Sequence, residues 1–266
     1  EGVMMISPQK VAMSVRKDNG KIISRVEQRK QMYQSIRKVF FVRGIFALIE
    51  MLHLGMKALM WSGNQQLKKE EQVSGSGMMA TMLVSFAIGI GLFVALPLWV
   101  AGLVTDHSVW FNLIEGILRM VIFLLYVLII AQMNDVKRMF EYHGAEHMAV
   151  HCHEAKKPLE VNYVRRFSTV HPRCGTAFIF LVFLVSLVIF SLIWSEQWWI
   201  RFVIRLALIP LVAGIAYELL RLGARYHHKM WFRWLLLPGL WFQKITTQEP
   251  DRRQIEVAIT SLKRVL

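Results

Sequence analysis

Residues Met78 to Val104 form a run of 27 without a charged side chain. As a helix rising 1.5 Å per residue, the run reaches about 40 Å, more than the roughly 30 Å hydrocarbon core of a bilayer. It therefore reads as a membrane span with some tilt or a kink at Pro97. The rest of the composition agrees. Hydrophobic residues make up 55% of the 266 residues and charged ones only 19%, yet the net charge is +14. A chain both oily and basic must hold its charges apart from its apolar stretches, which excludes an ordinary soluble domain, a disordered chain and a collagen-like one. Two cysteines, Cys152 and Cys174, are too few for a disulfide framework and are better used as thiols or metal ligands.

Three further runs read as spans: Trp110 to Met133, interrupted by Glu115 and Arg119; Thr176 to Trp194, uncharged; and Ile200 to Leu222, where Arg205 and Glu218 must snorkel or pair. Arg and Lys sort by loop. Residues 1–77 hold 13, 134–175 hold seven and 221–266 hold nine, whereas the connections 105–109 and 195–199 hold none. Alternate basic and bare loops are the positive-inside pattern and predict cytosolic termini. Trp99, Trp110, Trp194, Trp198 and Trp199 fall near the bare ends, as an aromatic belt would. The first residues are not an apolar core behind a basic start, so no secretory signal is read.

Other segments are not spans. In residues 1–35, alternating apolar residues flank Asp18-Asn19-Gly20, which predicts a basic cytosolic β-hairpin. The segment 36–61 carries Arg37, Lys38, Arg43, Glu50, His53 and Lys57, which suits an amphipathic helix lying on the cytosolic face. A polar linker, 62–77, leads into the membrane domain, 78–222, whose cytosolic loop is 134–175. Residues 223–244 include Met230 to Phe242, which is too short to span and is broken by Pro238-Gly239, so an interfacial or re-entrant piece is expected. In 245–266, Ile255, Ala258, Ile259, Leu262 and Val265 recur at helical spacing and predict a helix packed on the cytosolic surface. The fold class is an all-α polytopic membrane protein with four transmembrane helices, interfacial amphipathic helices and a small N-terminal hairpin.

Five of the nine histidines and both cysteines lie between residues 143 and 174, in the cytosolic loop. Helical residues four apart share a face, so His143 and His147 can present two imidazoles to one ion, with Glu146 beside them. The order H-x-x-E-H is that of inverted zinc metalloproteases. Neutral imidazoles leave Zn²⁺ its charge, a water beside the ion is acidified, and Glu146 takes its proton as general base. The second span is expected to run on past Met133 into this helix. A third ligand is expected from His171 or Cys174, just ahead of the third span; the later Glu218 matches by spacing alone. The competing reading is a structural zinc clip, or histidines that simply sit at the interface. His151 and His153 read as solvated, and Cys152 as packed.

Glu115 and Arg119, four apart, can pair along one helix. Counted inward from the bare loops, Glu115 and Arg205 sit at similar depth, which predicts a cross-helix ion pair. Four spans with only these charges do not suggest a transporter. The basic residues 10–43, including Lys10, Arg16, Lys17, Lys21, Arg25, Arg29, Lys30, Arg37 and Lys38, suit anionic lipid, with RNA, as at a ribosome surface, as the sharper alternative.

With EYHGAEH (141–147) and HPRCGT (171–176), the chain resembles the YqhQ-like family of bacterial integral membrane proteins. EGVMM (1–5), RG (43–44), LGMKAL (54–59), YELLRL (217–222) and EVAI (256–259) extend the resemblance over essentially the whole chain. The family is one of unknown function, often labelled a predicted metal-dependent enzyme. The resemblance implies a metal at His143, His147 and either His171 or Cys174, and a location in the bacterial cell membrane. It also implies a short piece ahead of EGVMM. The function expected is a zinc-dependent hydrolase at the cytosolic membrane surface. The alternative is a non-enzymatic scaffold in membrane-protein biogenesis, partnered by a protein translocon or the ribosome.

Overall fold

The computed structural model describes residues 2–29, 39–65, 75–105, 107–172, 174–193, 195–226 and 230–266. Lys30, Arg37, Lys38, Arg173, Trp194, the first residues of the expected interfacial helix and the middle of the polar linker lie outside the described residues.

The Asp18-Asn19-Gly20 turn forms as expected. Gly20 takes a positive φ of 80°, its N–H donates to the Lys17 carbonyl at 2.8 Å, and Asn19 Oδ1 accepts from the Lys21 N–H at 3.1 Å. The turn joins β2 (Lys10–Arg16) to β3 (Ile22–Gln28). The structure adds a strand to the hairpin: β1 (Gly2–Ile6) pairs antiparallel with β2, giving a sheet of order β1-β2-β3.

Helix α1 (Val42–Asn64) follows. The first long apolar helix is α2 (Gly75–Ile90), a π-type turn at Gly91–Ala95 and α3 (Leu96–Val104). Pro97 lacks an N–H and would clash one turn back, so the widened turn just ahead of it absorbs the break without ending the helix. Then come α4 (Ser108–Ile130), α5 (Asn134–Glu154), the short α6 (Val161–Val164), α7 (Thr176–Ser191), α8 (Trp198–Arg225), α9 (Met230–Thr246) and α10 (Arg252–Val265).

Among the described residues, four helices are long and apolar enough to cross a membrane: Val42–Asn64, Gly75–Val104, Ser108–Ile130 and Trp198–Gly223. The set differs from the sequence reading at two places. The run expected from Thr176 to Trp194 is helical only over 16 residues, about 24 Å. Yet α7 starts beside Cys174, while its Ser186 and Phe190 meet Arg119 at the middle of α4 and Arg205 in the first third of α8, so it packs alongside both of these apolar helices. Helix α1 meets the length criterion, but its charges tie it elsewhere. Glu50 accepts from Arg29 at 2.8 Å, and Lys57 donates to Glu27 of β3 at 2.5 Å. A helix crossing from Val42 would carry Lys57 some 20 Å into hydrocarbon, where the strand could not follow.

Two junctions also depart from expectation. The second span does not continue into the histidine helix: Ala131–Met133 form a turn, Met133 is extended (ψ 133°), and α5 is a separate helix. Pro238-Gly239 does not interrupt α9, which runs through both. Gly239 lies where a Cβ would come within 2.7 Å of the Ala177 Cα, so its missing side chain lets α9 approach the start of α7.

The sheet, α5 and α10 share one core of Val3, Met5, Ala12, Tyr142, Ala145, Met148, Ala149, Cys152 and the buried face of α10. That face holds the five apolar residues expected of it, each below a tenth exposed. Asp251 and Gln254 form a reciprocal capping box at its start, and Gln254 Nε2 also donates to Glu141 Oε2 of α5 at 2.8 Å. Buried Ser261 sits opposite the carbonyls of Val3 (3.1 Å) and Ala12 (3.0 Å), binding α10 to both strands.

Candidate metal centre

Helix α5 carries His143, His147 and His151 at four-residue intervals, so the three rings line one face. Two extended stretches flank that face. The one after α9 lies close because residue 144 is glycine: a Cβ there would come within 2.1 Å of the Gln248 carbonyl oxygen. Gln248 N–H donates to the Phe140 carbonyl at 3.0 Å, and the Thr246 carbonyl then stands 2.9 Å from His143 Nδ1. The other stretch, ahead of α7, puts the Thr169 carbonyl 2.5 Å from His147 Nδ1 and the Val170 carbonyl 2.9 Å from His151 Nε2.

A carbonyl oxygen can only accept, so each of these ring nitrogens carries its hydrogen. The Nε2 atoms of His143 and His147 are thereby left with lone pairs. Cys174 Sγ lies 3.3 Å from His143 Nε2, and one donor atom from each of His143, His147 and Cys174 falls within 4.8 Å of the others. Ring nitrogens held by backbone carbonyls are the usual outer support of metal-ligating histidines. Burial alone would push the Cys174 thiol up. The His147 imidazole together with the Thr176 hydroxyl and N–H outweighs it and holds the thiol below its ordinary range, toward thiolate. Thr176 Oγ1 is 3.3 Å from the sulfur.

Glu146 makes no hydrogen bond or ion pair among the described residues. Burial pushes its carboxyl up, against the pull of His143. His171 accepts the Cys174 N–H at its carbonyl at 3.2 Å, but its ring is not in the Cys174 triad. Its ring lies 5.8 Å from that of His147 but 4.4 Å from that of His151, and its Nε2 is 3.3 Å from Glu154 Oε2. His151, read from sequence as solvated, instead joins His171 and Glu154 in a second triad whose donor atoms also fall within 4.8 Å of one another. Burial and the neighbouring His151 hold His171 below the ordinary imidazole range, against the pull of Glu154. His153 is exposed and Cys152 is buried, as read. Glu218 belongs to neither triad: its two carboxylate oxygens are taken by Arg43, whose Nε lies 2.6 Å from Oε1 and whose Nη2 meets Oε2.

Sequence reasoning missed Gln243. Fully buried on α9, it accepts from the His171 N–H at 2.9 Å and donates to the His171 carbonyl at 3.0 Å, so one amide fixes the backbone of the loop in both directions. No motif marks it; a glutamine directly after the apolar run Trp234 to Phe242 is the one signal the sequence offers.

Gly144→Ala is expected to destabilise the protein by about 1–3 kcal/mol, because backbone must move to admit the methyl. In an open helix the same change would stabilise by roughly 1 kcal/mol. The sign of the shift in thermal unfolding therefore tests the close approach of Gln248.

A family described as "Protein of unknown function (DUF1385)" matches residues 39–266. The "Uncharacterized protein YqhQ" of Bacillus subtilis (strain 168) is 32% identical over 288 residues, covering 100% of this chain and 90% of that protein. No solved structure matches the chain. With both the helical architecture and the full-length similarity in place, the chain belongs to the YqhQ-like (DUF1385) family.

Proposed function

We propose that the chain is a zinc-dependent hydrolase embedded in the bacterial cell membrane, with both termini cytosolic and its site at the cytosolic surface. The observation that carries this reading is the convergence of one donor atom each from His143, His147 and Cys174, with each imidazole backed by a backbone carbonyl. Two nitrogens and a sulfur suit Zn²⁺ and do not suit Mg²⁺ or Ca²⁺. Held by His143, His147 and Cys174, a zinc ion would supply Lewis-acid chemistry to a water or substrate beside it.

The chain's own residues supply the rest. The carbonyls of Thr246 and Thr169 fix the tautomer and aim of the two rings. Thr176 steadies the Cys174 sulfur as a charged donor. Glu146, one residue before His147 and three after His143, is the group placed to accept a proton. The substrate is an ester or amide at the membrane surface, a peptide or a lipid headgroup, and the basic residues 10–43 attract anionic lipid to the same face.

Glu146→Gln tests the assignment. The variant is expected to keep the zinc of the wild type and to lose about 10²–10⁴-fold in hydrolysis of peptide or phospholipid substrates in proteoliposomes. Zinc held by a wild type that hydrolyses neither substrate would make the ion a structural clip and favour the scaffold reading, and unchanged hydrolysis in the variant would remove Glu146 as the base. Folded wild-type protein that holds no zinc would overturn the hydrolase and the clip alike and leave a scaffold without metal.

A further inference from the structure

The structure assigns a second divalent-ion site, formed by His151, Glu154 and His171, next to the first and independent of its ligands. We propose that this ion clamps the 155–171 connection onto the end of α5.

His151 and Glu154 are three residues apart on the last turns of α5 and so share a face. His171 comes from the far end of the connection, with its backbone locked by the two hydrogen bonds to Gln243. Donor atoms of the three residues fall within 4.8 Å of one another, as close as those of the first triad. The outer support repeats as well. The Val170 carbonyl accepts the His151 Nε2–H at 2.9 Å, which frees the Nδ1 lone pair for an ion. Two imidazoles and a carboxylate are a zinc donor set with an open position.

The four rings run in the order His143, His147, His171, His151, with centroids 4.4, 5.8 and 4.4 Å apart. The two triads therefore share a wall formed by His147 and His171. Their chemistry differs in one respect: the first contains a cysteine sulfur and the second does not. An ion at the second site would tie His171 to α5, and Cys174 follows it by three residues, so the second site would also steady the ligand that completes the first. That last consequence rests on the reading of the Cys174 triad given above; the second site itself does not.

Cobalt separates the two. The full chain in detergent, stripped of metal, is titrated with Co²⁺ while bound metal and thiolate-to-cobalt absorption are followed together. The wild type is expected to bind about two equivalents, with the thiolate band complete after about one. His151→Ala and Glu154→Gln are expected to bind about one, with the band intact. Glu154 is 36% exposed at its side chain, so its isosteric replacement leaves folding unaffected should His151→Ala not fold. Wild-type binding that stops at one equivalent with a full thiolate band overturns the second site and leaves the first standing. Retention of two equivalents in the two variants also overturns it. One equivalent that gives no thiolate band and is lost in Glu154→Gln supports the second site and overturns the first.

Discussion

Glu115→Ala is expected to destabilise the membrane domain by about 3–5 kcal/mol, the cost of leaving buried charge without its partner. Arg205 reaches Glu115 with Nε at 2.9 and 3.0 Å and with Nη2 at 2.5 Å, and Arg119 meets the same carboxylate. All three side chains are under a tenth exposed. Around them, Asn112 accepts from Arg205 at 3.0 Å, Ser186 from Arg119 at 3.3 Å, and the Phe190 ring lies under both guanidiniums. Without Glu115, two cations remain where water does not reach them. The triple replacement of Glu115, Arg119 and Arg205 by leucine is expected to be near neutral, since no charge is then stranded. Unfolding in mixed micelles with rising SDS measures both. A Glu115→Ala variant within about 0.5 kcal/mol of wild type would show that the ion cluster is hydrated, contrary to its burial.

At a free zinc concentration 100-fold above the dissociation constant of the Cys174 triad, filling that triad is expected to add about 2.7 kcal/mol to the wild type, apart from any increment of the second triad. His147→Ala should lack most of that increment, because one of the three first ligands is gone. Measured without metal, the variant should differ from the wild type by only about 1 kcal/mol, for the carbonyl of Thr169 left without its donor. Thermal unfolding of both proteins with and without zinc gives the four values required. Equal zinc stabilisation of wild type and His147→Ala would remove this residue from the ligand set.

The parts of the fold legible in the sequence are those written in local spacing. The five apolar positions of α10, the Asp18-Asn19-Gly20 turn and the one-turn offset of His143 and His147 each follow from a single element's periodicity. The Glu115–Arg205 pair was also readable, because depth in a membrane adds one long-range coordinate that a soluble sequence lacks. What was not legible depends on which stretch returns to which face. The carbonyls of Thr246, Thr169 and Val170 that orient the rings carry no side-chain signature. His151 read as solvated, and it gains its partners only when His171 is folded back on it and Glu154. Pro238 read as a break, yet α9 continues through it with Gly239 fitted against α7. The separation of α4 from α5 has no glycine or proline to announce it.

One core holds the strands, α5 and α10, three pieces drawn from the beginning, middle and end of the described residues. They must therefore occupy the same side of any bilayer the helices enter. The number of crossings between β3 and α5 has to be even, and so does the number between α5 and α10. The continuous α2–α3 helix with α4 satisfies the first requirement, α7 with α8 the second, and parity leaves α1 no solitary passage. A single lost or added crossing would put α10 and the strands in different compartments, and the histidine-bearing helix would be left uncovered on the flank that α10 now shields.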